Sequence, residues 1–216
     1  MTFPAASSFM HLSYLLPALL LLATSAQAQL RVSPLAPATV PATLKHSGRV
    51  VQALRYTDRT GTYTVLATQS GPAADPGAPS TDGQRADLYA YQYPATGPAP
   101  TWQVHDFVDA CPLDLEARFR PNGLTITDLD QDGTAEVWLV YRTVCRGDVS
   151  PSTQKIIMYE GPRKYAVRGT SRLTIGGQPD GGSYTLDAAW QAAPVAFRQH
   201  AAQLWKQYRE EKIGDQ

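Results

Sequence analysis

The run Asp128-Leu-Asp-Gln-Asp-Gly-Thr-Ala-Glu136 places carboxylates at positions 1, 3, 5 and 9 of a short loop, with Gly133 at position 6. Odd spacing in a tight loop turns alternate side chains toward one centre, and glycine admits the sharp backbone turn this requires. Carboxylates that converge without a counter-charge repel one another, and a hard divalent cation with oxygen ligands removes the conflict. The pattern predicts a Ca²⁺ site built from Asp128, Asp130, Asp132, the backbone carbonyl of Thr134, and Glu136. It is not an EF-hand, because position 12 is Leu139, where that motif needs a bidentate Glu. With the predicted positions filled by protein, the expected role of the ion is structural. The metal-free alternative is an acidic turn neutralised by Arg142 or Arg146.

Other chemistry-bearing residues give weaker signals. Asp128-Leu-Asp130 also reads as the D-x-D of metal-nucleotide enzymes, and Arg146-Gly-Asp148 is an RGD tripeptide that would have to protrude to be adhesive. Asp106, Asp109, Asp114 and Glu116 are available as a glycosidase pair, but the separation that would decide it is not written in a sequence. His105 and Asp106 are adjacent in an expected strand, so their side chains point to opposite faces and form no dyad. Tyr89, Tyr91 and Tyr93 share one strand face, as packing or as a platform for sugar rings. No catalytic residue is assigned.

The elements that must hold the acidic loop read as β. Val50–Tyr56 and Thr62–Thr68 flank a turn that ends in Gly61. Leu88–Tyr93, Trp102–Val108, Leu113–Phe119 and Leu124–Thr127 continue a series of short strands, with Arg120-Pro-Asn-Gly123 as a turn between the last two. Glu136–Val144 is apolar on both faces and predicts a central strand. Lys155–Tyr159 and Lys164–Thr174 flank a second hairpin turn at Glu160-Gly-Pro-Arg163, and Gly71–Gly83 and Gly176–Gly182 read as loops. Phe197, Ala201, Leu204, Trp205 and Tyr208 form one helical stripe after Pro194. The expected fold is mainly β: antiparallel sheets of short strands with one C-terminal amphipathic helix over 194–212, in a single domain spanning 45–216. The Ala/Pro-rich stretch 29–44 is expected to be an extended, flexible leader without a strand ladder.

Location follows from the first residues. A ten-residue apolar run, Tyr14–Ala23, precedes Ala26-Gln-Ala28, which predicts a signal peptide over 1–28 with cleavage before Gln29. The run is too short for a membrane span, and no cysteine follows it to carry a lipid. The chain is therefore expected in the periplasm or outside the cell, with no membrane span after processing. Cys111 and Cys145 are the only cysteines, and an oxidising compartment predicts one disulfide between them. With 19 basic and 19 acidic residues the formal net charge is zero, which argues against nucleic acid as a partner. The balance is uneven: nine acids and four bases lie between Asp106 and Asp148, five bases and one acid between Lys155 and Arg172.

Two resemblances add to this. The acidic loop resembles the calcium loops of FG-GAP (integrin-α-like) repeats, which run strand–loop–strand with a last carboxylate at position 9. Ile126–Tyr141, Cys145–Pro151, Lys155–Glu160 and Lys164–Gly169 together resemble an exported bacterial family labelled surface polysaccharide biosynthesis protein. That likeness extends from Arg55–Asp58 to Leu204–Trp205. It implies a role in the cell envelope and its glycans, with a surface glycan or an envelope protein as partner, and it carries no catalytic residue. A non-enzymatic envelope protein is the leading expectation, a glycan-processing hydrolase or lyase the second, and an adhesive module the third.

Overall fold

The computed structural model describes residues 1–2 and 29–212; the expected signal peptide, 1–28, lies almost wholly outside the described residues. The chain builds two five-stranded antiparallel sheets. Sheet one takes β1 (Arg31–Pro34), β2 (Arg49–Asp58), β3 (Gly61–Ala74), β4 (Gln84–Pro94) and β5 (Trp102–Cys111) in sequence order. Sheet two contains β6 (Asp114–Thr127), β7 (Glu136–Arg146), β8 (Thr153–Glu160), β9 (Arg163–Thr170) and β12 (Tyr184–Leu186), ordered β12-β9-β8-β7-β6. A small ribbon of β10 (Arg172–Ile175) and β11 (Gln178–Gly181) stands apart, and α1 (Val195–Tyr208) closes the chain.

Alternation along the strands sorts the side chains into layers. Ala86, Leu88 and Ala90 of β4 face Val137, Leu139 and Tyr141 of β7 across the sandwich, forming the main core. The other face of β7 presents Trp138 and Val140 to Trp190, Phe197, Ala201, Leu204 and Trp205. Glu136–Val144 is thus apolar on both faces because sheet one covers one and α1 the other. Each Trp on the helix side satisfies its N–H: Trp138 Nε1 donates to Thr127 Oγ1 (2.8 Å), Trp190 Nε1 to the Ala166 carbonyl (2.9 Å) and Trp205 Nε1 to the Gly182 carbonyl (3.0 Å). The Cys111–Cys145 disulfide forms as expected and staples the last residue of β5 to β7, one sheet to the other.

Several expectations are corrected, among the smaller ones the loop over Gly71–Gly83, which begins only after Ala74, and the strand over Lys164–Thr174, which breaks at Ser171. The leader is structured: Arg31–Pro34 pairs with Leu54–Thr57 as an edge strand, where the missing proline N–H is tolerated. Beyond it, Leu35, Val40 and Leu44 pack on Leu66, Tyr91 and Tyr93, so this Pro-rich stretch covers the outer face of sheet one. Arg120–Gly123 is not a turn between two strands but a bulge inside the continuous β6. Asn122 adopts φ 55°, and a Cβ on Gly123 would lie 2.8 Å from the Val140 carbonyl oxygen. The Gln52 amide fills the interrupted ladder, donating to the Arg120 carbonyl (2.8 Å) and accepting from Leu124 N–H (3.0 Å). Gln52→Ala is expected to cost about 1–3 kcal/mol, read as a lower urea midpoint at unchanged slope, because two half-buried backbone groups lose their partner.

Gly176–Gly182 is a hairpin rather than an open loop: Gly176 and Gly177, at φ 56° and 83°, make a two-residue turn between β10 and β11. The helix ends at Tyr208 instead of 212. Arg209–Glu211 leaves its axis to run beside Arg172, whose N–H donates to the Arg209 carbonyl (2.6 Å) and whose carbonyl accepts from Glu211 N–H (2.9 Å).

Candidate metal centre

The acidic loop joins β6 to β7 and rests on the tip of the β2–β3 hairpin. Gln131 and Gly133 take positive φ, 59° and 84°, which folds the loop back on itself. Its carboxylates also close short turns: Asp128 accepts from Gly133 N–H (3.3 Å), Asp130 from Asp132 N–H (3.3 Å) and Asp132 from Thr134 N–H (2.6 Å). Asp58, buried at the end of β2, accepts from Ala135 N–H (2.9 Å), while its other oxygen takes Thr60 N–H (2.7 Å) and Gly61 N–H (3.1 Å). Arg59 N–H donates to the Gly133 carbonyl (2.9 Å). One hairpin tip therefore fixes the loop from outside, a contact between segments some 75 residues apart in sequence that no local pattern announces.

Two overlapping groups of carboxylates result. Asp128, Asp130 and Glu136 bring oxygens within 4.8 Å of one another, and so do Asp130, Asp132 and Glu160. Four of the five predicted ligand residues supply carboxylates to these groups. Thr134 enters differently, with its N–H on Asp132 and its hydroxyl accepting from Arg59 Nη2 (3.0 Å). Glu160, at the end of β8, was not foreseen. It is the cross-strand partner of Glu136, and like charges directly opposite on neighbouring strands are destabilising when nothing intervenes.

Electrostatics at the site follow from burial and crowding. Glu136 is fully buried, accepting from Thr127 Oγ1 (2.5 Å) and Leu129 N–H (3.0 Å). Burial drives its carboxyl up to about 7 despite those donors, and Asp130 and Asp128 push it the same way. Glu160 is also raised, first by burial and then by Asp130, with Asp132 adding to it. Arg59 lies 3.6 Å from Asp132 with most of its side chain in solvent, and an exposed pair of this kind contributes little; Arg163, the cross-strand partner of Glu160, offsets only part of the rise in that carboxyl. The two arginines expected to neutralise a metal-free turn are elsewhere: Arg142 donates to Gln154 (3.0 Å) and the Tyr208 carbonyl, and Arg146 to Glu211 (2.9 Å) and the Ser150 carbonyl. The donor set is all hard oxygen, and oxygens bound to one Ca²⁺ at 2.3–2.6 Å lie within about 5 Å of one another. These residues fit such an ion.

Most of the remaining candidates take structural places, while Asp109 and Asp114 are exposed. Arg146, the first residue of the RGD tripeptide, is held by Glu211 and so is not displayed for adhesion. Asp106 is engaged by Lys155 (2.5 Å) and Tyr141 (2.9 Å), Glu116 by Arg120 (3.8 Å). His105 and Asp106 do point apart, and His105 Nε2 instead meets Asp87 (2.8 Å). Tyr91 and Tyr93 lie under the leader. At the open end of the same row Tyr89 stacks on His105 at 4.4 Å, Phe107 lies tilted against His105 at 5.2 Å, and the Arg85 guanidinium caps the Phe107 ring at 4.3 Å. Tyr89, Tyr91 and Tyr93 thus have their rings engaged by His105, the leader and one another, which is packing rather than an open stacking platform.

Among the described residues no helix is long and apolar enough to cross a membrane. No family model, curated protein or solved structure matches the chain.

Proposed function

We propose that this chain is an exported cell-envelope protein that acts without catalysis in surface-polysaccharide assembly, binding a glycan or an envelope protein through a scaffold locked by one disulfide and one Ca²⁺. The observation that carries the metal half is the pair of carboxylate groups, Asp128/Asp130/Glu136 and Asp130/Asp132/Glu160, joined through Asp130, with a mostly solvent-exposed Arg59 paired to Asp132. Export is supported by the apolar run and Ala26-Gln-Ala28, together with a disulfide of the kind an oxidising compartment favours. The glycan half rests on the likeness of Thr127–Gly169 to the surface-polysaccharide family. The ion's role is structural, because it ties the β6–β7 loop to the end of β8.

The processed, oxidised chain, immobilised in millimolar Ca²⁺, is expected to retain polysaccharide extracted from the envelope of the cells that make it. Retention of neither polysaccharide nor any envelope protein contradicts the reading, as does release of shortened glycan fragments, which favours a glycan-processing enzyme.

A further inference from the structure

Sheet one ends at β5, whose Trp102 and Asp106 reach Tyr159 and Lys155 of β8; next to it on β9, Ala166 is buried in the core between the sheets while Lys164 and Arg168, on either side of it, are exposed. This border of the core carries the basic segment seen in the sequence. Lys155 and Arg168 are cross-strand partners on β8 and β9, and Lys164 sits opposite Tyr159 one end along. Lys155 is committed to Asp106 at 2.5 Å, and Arg168 reaches Asp187 only at 3.9 Å with half its side chain exposed. Lys164 is exposed, and among the described residues no carboxylate lies within ion-pair distance of it; its ammonium stands 6.0 Å over the Tyr159 ring. At the same end Trp102, buried and stacked on Tyr159 at 4.3 Å, holds an indole N–H with no acceptor among the described residues.

We infer that this basic border binds an acidic polysaccharide whose charges are spaced along the chain, spanning the buried Ala166 with one anionic group at Lys164 and another at Arg168. The inference rests on the glycan reading above and names its ligand class. Spacing decides among anions. Lys164 and Arg168 are four residues apart on one strand, roughly 13 Å, too far for a single carboxylate or phosphate to bridge. Nucleic acid carries a charge about every 3.4 Å per strand, and its intervening phosphates would fall on a face that also holds Asp106 and Asp187. A glycan with neutral sugars between its acids avoids that repulsion and offers hydroxyls to the same carboxylates. The Lys164 ammonium is already held below its usual range, first by burial and next by Arg168, and a bound anion supplies the opposite charge that offsets the second.

The test is affinity electrophoresis of the oxidised chain in Ca²⁺, through gels containing hyaluronan (acidic at alternate sugars), neutral dextran, or a single-stranded oligonucleotide. Hyaluronan is expected to retard the chain, dextran not. Lys164→Ala and Arg168→Ala are each expected to weaken that retardation about ten-fold, the value of one charge-assisted contact, at unchanged melting temperature. No retardation by hyaluronan, unchanged retardation in both variants, or tighter capture by the oligonucleotide overturns the inference. If the cells' own polysaccharide is still retained in those cases, the glycan reading survives; if it too is lost, both fall.

Discussion

Replacing Cys111 and Cys145 together by alanine is expected to destabilise the protein by about 3–4 kcal/mol. The bridge closes a loop with a sequence separation of 34, and the chain-entropy cost it removes from the unfolded state is of that size. The loop encloses the whole β6–β7 hairpin and the acidic loop between its strands, so the unbridged chain must order this segment without help. Cys111 is buried at the junction of the two sheets, and its loss adds a small packing term. Urea titration of the oxidised protein against the double variant measures the effect, with a somewhat larger slope expected for the less compact unfolded variant. A difference under about 1 kcal/mol would mean that the sandwich holds the two sheets together without the staple.

Glu211→Ala is expected to cost about as much, roughly 3–5 kcal/mol, through a different mechanism. Glu211 lies in the tail after α1, almost fully buried, and accepts from Arg146 Nη2 (2.9 Å), Ser152 Oγ (2.8 Å), Ser152 N–H (3.1 Å) and Ser171 Oγ. Arg142 stands 4.0 Å away, so buried that its guanidinium is pushed down to about 10. Removing the carboxylate takes the counter-charge from Arg142 and Arg146, which keep only neutral acceptors, and the acceptor from Ser152 and Ser171. Burial alone would raise the Glu211 carboxyl, but the donors from Ser171, Ser152 and Arg146 outweigh it and hold the group below its usual range. A folded pKa below the unfolded one gives stability that is complete above the unfolded value and disappears as pH falls through the folded value. The stability gap between the wild type and Glu211→Gln should therefore be full at neutral pH and shrink on acidification below the ordinary carboxylate range. A gap that stays constant with pH would contradict the assignment.

How much of this was written in the sequence depends on the range of the interaction. The carboxylates of the acidic loop are local, so Asp128, Asp130 and Glu136 fall together as their spacing says. Glu160 escaped because it arrives by the β7–β8 register, which the connection through Gly147–Ser152 sets and no short pattern reveals. Asp58 and Arg59 escaped for the same reason, since a hairpin tip and a loop so far apart in sequence meet only once the sheets pack. The two-sided apolarity of Glu136–Val144 and the stripe of α1 were legible because burial on both faces leaves a periodic trace. Composition misled at residues 29–44. Prolines there exclude a central strand but permit an edge strand, and Leu35, Val40 and Leu44 supply the apolar contacts that hold the segment down. Pro121-Asn122-Gly123 has turn chemistry, and the chain spends it on a bulge that the Gln52 side chain bridges from another strand.

The central claim is that Asp128, Asp130, Asp132, Glu136 and Glu160 hold a divalent cation. Thermal melting of the oxidised protein across a Ca²⁺ titration tests it most directly. A ligand that binds only the folded state at a hundred times its dissociation constant stabilises by about 2.7 kcal/mol. For a chain of this size that is an upward shift of roughly 5–10 °C. The account predicts that shift at millimolar Ca²⁺, its reversal by chelator, and its loss in Asp130→Asn, since Asp130 belongs to both carboxylate groups. A melting temperature indifferent to Ca²⁺, or one that rises equally in Asp130→Asn, would contradict it.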